Sequence, residues 1–342
     1  MKFKELGRTG LKVSQLCLGT MTWGQQNTQD DAFAQLSMAE EAGITFIDTA
    51  EMYAIPTRPQ TAGLTETYIG NWFSQTGRRD RFVVATKVAG GRSQPWIRDG
   101  RRPGAADLVA AVDGSLRRLQ TDHIDLYQIH WPWRGSYHFE NGWTYVPSAQ
   151  RDMDDFAESL TTLDGLVRAG KLRHVGVSNE TAWGIMQYLR LSELHGLPRL
   201  VSVQNEYSLL RRLFDHDLAE IAYREDVGLI AYSSLAAGAI SGKYLDGAVP
   251  PGSRGDIGRM WRHHRHTEPA IRAYIALARE HGLEVTQMAL AFCLSRPFMT
   301  AVILGATSLA QLQSNIAAAE ITLSPELLAA IDAIHRRFPN PV

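Results

Sequence analysis

Asp48, Tyr53, Lys87 and His130 are residue types that combine into a proton-delivery device. A tyrosine near its ordinary pKa of about 10 is a poor acid or base at neutral pH. A lysine ammonium beside it stabilises the phenolate and lowers that pKa, and a carboxylate keeps the lysine charged and oriented. An imidazole can donate to a carbonyl oxygen or share its proton with the phenol. Together such groups would protonate an oxygen that gains negative charge as its carbon is reduced. No side chain supplies hydride, so this chemistry requires a cofactor. Each residue alone has a plainer reading. A lysine at a strand end snorkels to the surface, a buried aspartate caps a loop, and a buried histidine is satisfied within a core.

Their placement along the chain favours the joint reading. Short apolar runs alternate with stretches of helical period, as repeated βα units do. The runs expected to be strands are Gln15–Gly19, Thr45–Asp48, Phe82–Lys87, Ile124–His130, Val175–Ser178, Val201–Gln204, Leu229–Tyr232 and Val302–Gly305. Between them Leu108, Val112, Leu116 and Leu119 recur at helical spacing, as do Phe156, Leu160, Leu163 and Val167. Most of the runs end in a side chain with a chemical handle: Asp48, Lys87, His130, Ser178-Asn179, Gln204 and Tyr232-Ser233. Eight parallel strands with covering helices make a (β/α)8 barrel, whose active sites lie at the C-terminal ends of the strands. The expected fold is therefore α/β: one TIM barrel domain over residues 1–342. Phe3–Leu6 and Leu11–Val13 form an N-terminal β-hairpin ahead of it, and extra helices follow at the C-terminus. Ser324-Pro325-Glu326 has the cap, first-turn proline and early acid that start the last of these. Long loops are expected at Tyr53–Leu64, Trp131–Arg151 and Ala236–Thr267, and loops of such length tend to be functional.

Bulk properties narrow the function classes. With 44% hydrophobic and 21% charged residues, the 342-residue chain has a globular enzyme's balance. A net charge of −1 gives no reason to expect nucleic acid or an acidic membrane as partner. Cys17 and Cys293 are too few and too far apart for a disulfide framework or zinc site. No apolar run approaches the roughly 18 residues of a membrane span, and the start lacks a signal-peptide hydrophobic region, so a cytoplasmic protein is expected. No G-x-G-x-x-G follows the first strand, which disfavours a Rossmann nucleotide site.

These segments resemble the aldo-keto reductase superfamily in family order. Ile47-Asp48-Thr49-Ala50-Glu51-Met52-Tyr53 is similar to its D-x-x-x-x-Y segment, Thr86-Lys87 ends the matching third strand, and Asp125-Leu126-Tyr127-Gln128-Ile129-His130 matches D-L-Y-x-x-H. The likeness continues through Gly176-Val177-Ser178-Asn179, Gln204-Asn205, Ala231-Tyr232-Ser233 and Gly305-Ala306-Thr307 to Asn315, nearly the whole chain. The insertion Ala54–Leu64 and the phrase Gly63-Leu64-Thr65-Glu66-Thr67-Tyr68 look like the bacterial Tas-like subgroup, with potassium-channel β-subunits as wider relatives. They depart from the commoner Y-G-x-G-x-S-E continuation. The resemblance implies a catalytic tetrad of Asp48, Tyr53, Lys87 and His130, with Tyr53 the proton donor. It implies that Ser178, Asn179 and Gln204 bind a nicotinamide carboxamide, that Tyr232 stacks on its ring, and that Ser233 adjoins it. Gly19, Thr20 and Met21 would lie along that half of the cofactor. Leu235, Lys243 and Arg254 would cover the pyrophosphate and ribose, and Gly305, Thr307, Gln311 and Asn315 the adenosine end.

NADPH needs cations for its 2′-phosphate. After the eighth strand the chain has Gly305 and Gln311, where Lys and Arg are common. Ser241-Gly242-Lys243-Tyr244 with Arg254 approximates the channel-subunit pattern, so NADPH is expected over NADH; the plainer reading is two solvated loop cations. Trp131, Trp133, Tyr137, Phe139, Trp143 and Tyr145 make the loop after His130 aromatic. Either it walls an apolar substrate pocket with Trp23, favouring aromatic or extended aldehydes, or it packs on itself. Arg262-His263-His264-Arg265-His266 lacks carboxylate or cysteine at ligand spacing and reads as a mobile basic loop near the cofactor's adenosine end, with no metal site expected. Three functions compete at this level. One is a reductase acting on a small-molecule carbonyl substrate, an aldehyde or ketone, another a cofactor-sensing regulatory subunit with little turnover, and the third a barrel isomerase or metal-dependent hydrolase.

Overall fold

The computed structural model describes residues 1–90, 94–134, 136, 138, 144–145, 155–260 and 262–342. Eight strands form a closed, all-parallel barrel: β3 (Leu16–Gly19), β4 (Phe46–Asp48), β5 (Val83–Val88), β6 (Ile124–Ile129), β7 (Leu172–Ser178), β8 (Leu200–Gln204), β9 (Gly228–Ala231) and β10 (Met299–Leu304). They pair in chain order and β10 closes onto β3. All eight runs expected from the sequence are strands. The largest boundary difference is at β7 and β10, which each start three residues earlier than their apolar runs. Leu172 there pairs with Ile124 of β6, so ladder partners extend the strand beyond its hydrophobic centre.

Alternation along each strand explains both the core and the site. Successive side chains point to opposite faces. Leu16, Leu18, Ile47, Val84, Tyr127, Ile129, Leu229 and Val302 belong to the layer between barrel and helices. Cys17, Phe46, Val83, Ala85, Leu126, Ile230 and Ala301 fill the barrel interior instead. Two residues further along the inward rows stand Gly19, Asp48, Lys87, Gln128 and Tyr232. The interior is therefore apolar at its base and polar at the strands' C-terminal ends. The base is closed by the antiparallel hairpin β1 (Phe3–Glu5) and β2 (Lys12–Ser14), with Leu6 and Val13 fully buried in the interior cluster. Gly19 has no room for a side chain: a Cβ there would meet Ile303 Cγ2 at 2.6 Å and Leu304 O at 2.8 Å.

The outer layer comprises α1 (Gln29–Glu41), α2 (Leu64–Thr76), α3 (Ala105–Leu119), α4 (Phe156–Arg168), α5 (Ala182–His195), α6 (Asp217–Arg224), α7 (Glu268–Glu280), α8 (Val285–Leu294) and α9 (Leu309–Ala317). A last helix, α10 (Pro325–Arg337), starts as its sequence signals it should, with the Ser324 hydroxyl accepting from Leu327 N at 3.2 Å. Leu108, Val112 and Leu119 are buried on α3, and Leu160 and Leu163 on α4. Among the described residues no helix is long and apolar enough to cross a membrane.

Candidate active site

At the C-terminal end of the barrel the inward rows converge. Lys87 is fully buried, and its Nζ donates to Asp48 Oδ2 at 2.7 Å and to Thr49 O at 2.7 Å. The second carboxylate oxygen of Asp48 accepts from Gln204 Nε2 at 2.7 Å. Both charges are thus paired and hydrogen-bonded, the condition under which burial is tolerable. Tyr53 stands on the turn after β4, its N–H bonded to Ala50 O at 3.1 Å. The Lys87 ammonium lies 5.0 Å from its ring centroid, and the His130 ring meets it edge-on at 5.7 Å.

Burial pushes the Tyr53 phenol above its ordinary value, although the Lys87 ammonium pulls the other way. The sequence led to the opposite net direction, because it shows the lysine but not the depth of the phenol. For Lys87 burial works against the charge, but Asp48 and Tyr53 outweigh it and the ammonium is held charged. Burial, then Lys87, holds His130 well below the ordinary histidine range, so the imidazole is neutral. Its Nδ1 is buried without a hydrogen-bond partner among the described residues. A protonated phenol between a fixed ammonium and a neutral imidazole can act as a general acid toward an oxygen placed against it.

From Tyr53 and His130 a cavity of about 530 Å³ runs outward. Its inner wall is one polar network. Ser178 Oγ donates to Gln204 O at 2.8 Å, Asn179 Nδ2 donates to His130 O at 2.8 Å, and Tyr232 Oη donates to Asn179 Oδ1 at 2.6 Å. Gly19, Thr20, Met21, Ser233, Leu235, Gly305, Thr307, Gln311 and Asn315 also line it, with Lys243 and Arg254. Every residue expected at a nucleotide is thus brought to one cavity. Over it runs the segment after β9, where Ser233, Ala236, Ala237 and Gly238 all have positive φ. Left-handed backbone in non-glycine residues costs on the order of 1–3 kcal/mol each and gathers at ligand clamps.

Residues 15–336 match the aldo/keto reductase family. The chain belongs to the aldo-keto reductase family. Its members are oxidoreductases that generally use nicotinamide cofactors. The chain is 45% identical to Protein tas of Escherichia coli over all of this chain and 99% of that protein. It is 35% identical to the uncharacterized oxidoreductase YrpG of Bacillus subtilis, over 100% of this chain and 97% of the other. It is 28% identical to a probable voltage-gated potassium channel subunit beta of rice, over 99% and 98%.

The residues present fit a phosphate-bearing nucleotide. Arg254 turns into the cavity, its Nη2 3.6 Å from Met21 Sδ, and among the described residues no carboxylate pairs with it. Burial, then Arg262 and Arg259, lowers its pKa to about 10. A half-buried cation repelled by its neighbours is a receptor for an anion. Arg262, read from the sequence as part of a basic loop, and Arg259, which nothing in the sequence marked, also line the cavity. The reading of 262–266 as a mobile basic loop is corrected at its first residue. Arg262 is 5% exposed and its Nε donates to buried Glu206 Oε1 at 2.5 Å, which leaves Arg265 and His266 outside. Among the described residues no cluster suited to a metal ion occurs.

The aromatic wall is corrected in part. Trp131 lines the cavity, its ring 4.7 Å from His130, and packs where Gly90 has no side chain. Trp23 does not reach it: the indole is fully buried in the helix-side core and donates to Gln35 Oε1 at 3.1 Å. Trp133 likewise joins the core. Tyr137, Phe139 and Trp143 lie outside the described residues, and Tyr145 is exposed. Met52 and Ile55, unremarked in the sequence, complete an apolar lining with Met21 and Trp131.

Proposed function

We propose that the protein is an NADPH-dependent carbonyl reductase, converting aldehydes or ketones to alcohols with Tyr53 as proton donor. The observation that carries the reading is the Tyr53 phenol, held protonated beside the buried Lys87–Asp48 pair and neutral His130 at the end of a cation-lined cavity. Ser178, Asn179, Gln204 and Tyr232 would hold a nicotinamide, which when bound would supply the hydride for a carbonyl carbon. Tyr53 gives its proton to the oxygen, and His130 orients that oxygen by hydrogen bonding. Lys87, fixed by Asp48, stabilises the phenolate left behind. Met52, Ile55 and Trp131 exclude water around the reacting carbonyl. Fluorescence titration with NADPH and NADH, followed by turnover of 4-nitrobenzaldehyde, tests the whole; no binding of either nucleotide would refute it. Tight binding without turnover over a carbonyl panel would favour a regulatory cofactor-binding subunit, the reading that the likeness to the rice channel subunit supports.

Arg254 is expected to set the preference for NADPH. In Arg254→Ala the Kd for NADPH should rise roughly 10- to 100-fold, the worth of one or two charged hydrogen bonds, and the Kd for NADH several-fold less. Equal weakening of both would assign Arg254 to the pyrophosphate alone.

The acid form of Tyr53 is the active one, so reduction should persist while the phenol is protonated. Because burial raises that pKa above the ordinary value, kcat/KM is expected to stay flat from pH 6 to beyond about 10 and fall only above it. No inflection should appear near 6.5, since His130 is neutral throughout this range. A descending limb near neutrality would contradict the assignment.

A further inference from the structure

We infer that Glu51 and Arg98 are positioning residues, an ion-paired clamp that sets the Tyr53 turn against the strand carrying Lys87. Glu51 stands two residues before Tyr53 and reaches both the end of β5 and the residue just past it. Its N–H donates to Lys87 O at 3.2 Å, and its carboxylate Oε1 accepts from Ala89 N at 2.5 Å. These bonds straddle Val88 and stitch the turn to the end of the strand. Arg98 closes the clamp from the segment before α3. Its Nη2 donates to Glu51 Oε1 at 2.5 Å and to Ala89 O at 2.7 Å, and its Nη1 donates to Glu51 Oε2 at 3.2 Å.

The pair is costly to build and so calls for a role. The two side chains are 15% and 9% exposed, and removing water from a charge pair is repaid only by close, multiple hydrogen bonds. Arg98 and Asp99 also hold left-handed backbone, φ 52 and 54, disfavoured for residues with a Cβ. Neither Glu51 nor Arg98 lines the cavity, so both act through others. Ile97, beside Arg98, packs on the cluster of Ala50, Met52, Tyr53 and Ala89. One clamp thus sets the phenol–ammonium relation and the apolar packing around the phenol. An apolar pair of the same volume would leave the buried Ala89 N–H without its acceptor.

The inference rests on the carbonyl-reductase reading, and the test separates the two. In Glu51→Gln and Arg98→Met, kcat is expected to fall roughly 10- to 100-fold, the effect of an ångström-scale misplacement. The Kd for NADPH should stay within about two-fold, because the nucleotide wall is untouched. Arg98→Lys should recover part of kcat, and the alkaline limb of the pH profile should move up in both lowered variants as the phenol loses its ammonium. Unchanged kcat in both, or a loss that Arg98→Lys shares in full, would overturn the clamp. If Arg98→Met does not fold, Glu51→Gln and Arg98→Lys decide by the same criteria. If the wild-type protein binds NADPH but turns over no carbonyl, the reductase reading fails on its own. The clamp is then read from phenolate absorbance, each variant measured against its Tyr53→Phe counterpart. A Tyr53 titration that is identical with and without Glu51 would overturn it.

Discussion

Tyr53→Phe is expected to lower kcat for carbonyl reduction by about 10³-fold, within the 10²- to 10⁴-fold range of a positioned general acid. The substitution removes one oxygen and keeps the ring, with its contacts to His130 and the Lys87 ammonium. The network of Ser178, Asn179, Gln204 and Tyr232, proposed to hold the nucleotide, does not include the Tyr53 phenol, so the Kd for NADPH should be unchanged. Single-turnover reduction with bound NADPH measures the chemical step directly. Wild-type turnover in this variant would place the proton donor elsewhere, and the assignment of His130 and Lys87 would fall with it.

The second large effect is at Lys87. Lys87→Met should abolish measurable turnover and destabilise the fold by about 3–5 kcal/mol, because it leaves the Asp48 carboxylate buried with one hydrogen-bond partner among the described residues, Gln204. On thermal unfolding that is a fall in Tm on the order of 5–10 °C. The double variant Asp48→Asn/Lys87→Met separates the two roles. With the orphaned charge gone, most of the stability should return, since replacing both partners of a buried pair is often neutral. Activity should stay lost, because no ammonium remains to hold the phenolate. Recovered turnover in the double variant would mean that Lys87 only balances Asp48.

Much of the architecture was legible beforehand. A parallel barrel strand is covered on both sides, so it reads as a short apolar run, and a catalytic side chain at its end interrupts that run visibly. Asp48, Lys87, His130 and Gln204 were found this way, and the structure brings them together. The residues expected at a nucleotide were named through family resemblance, since Gly305, Thr307 and Asn315 have no periodicity of their own to mark them, and the structure places them along one cavity.

What could not be read depends on contacts between segments far apart in the chain. Trp23 looks like any aromatic near a site; only the partner at Gln35 and the surrounding helices place it in the core. Arg262 looks like its basic neighbours, yet Glu206 draws it inside, because a buried carboxylate needs a cation within reach. Glu51 and Arg98 are 47 residues apart, and no spacing rule connects them. The net direction of the Tyr53 shift also waited on the structure, because desolvation depends on everything packed around a group and sequence shows only its neighbours. Local patterning, two-residue alternation and strand-end chemistry therefore determined the barrel and the polar groups gathered at its C-terminal end. Tertiary packing decided which charges are paired, which aromatic rings face the cavity and which form the phenol keeps.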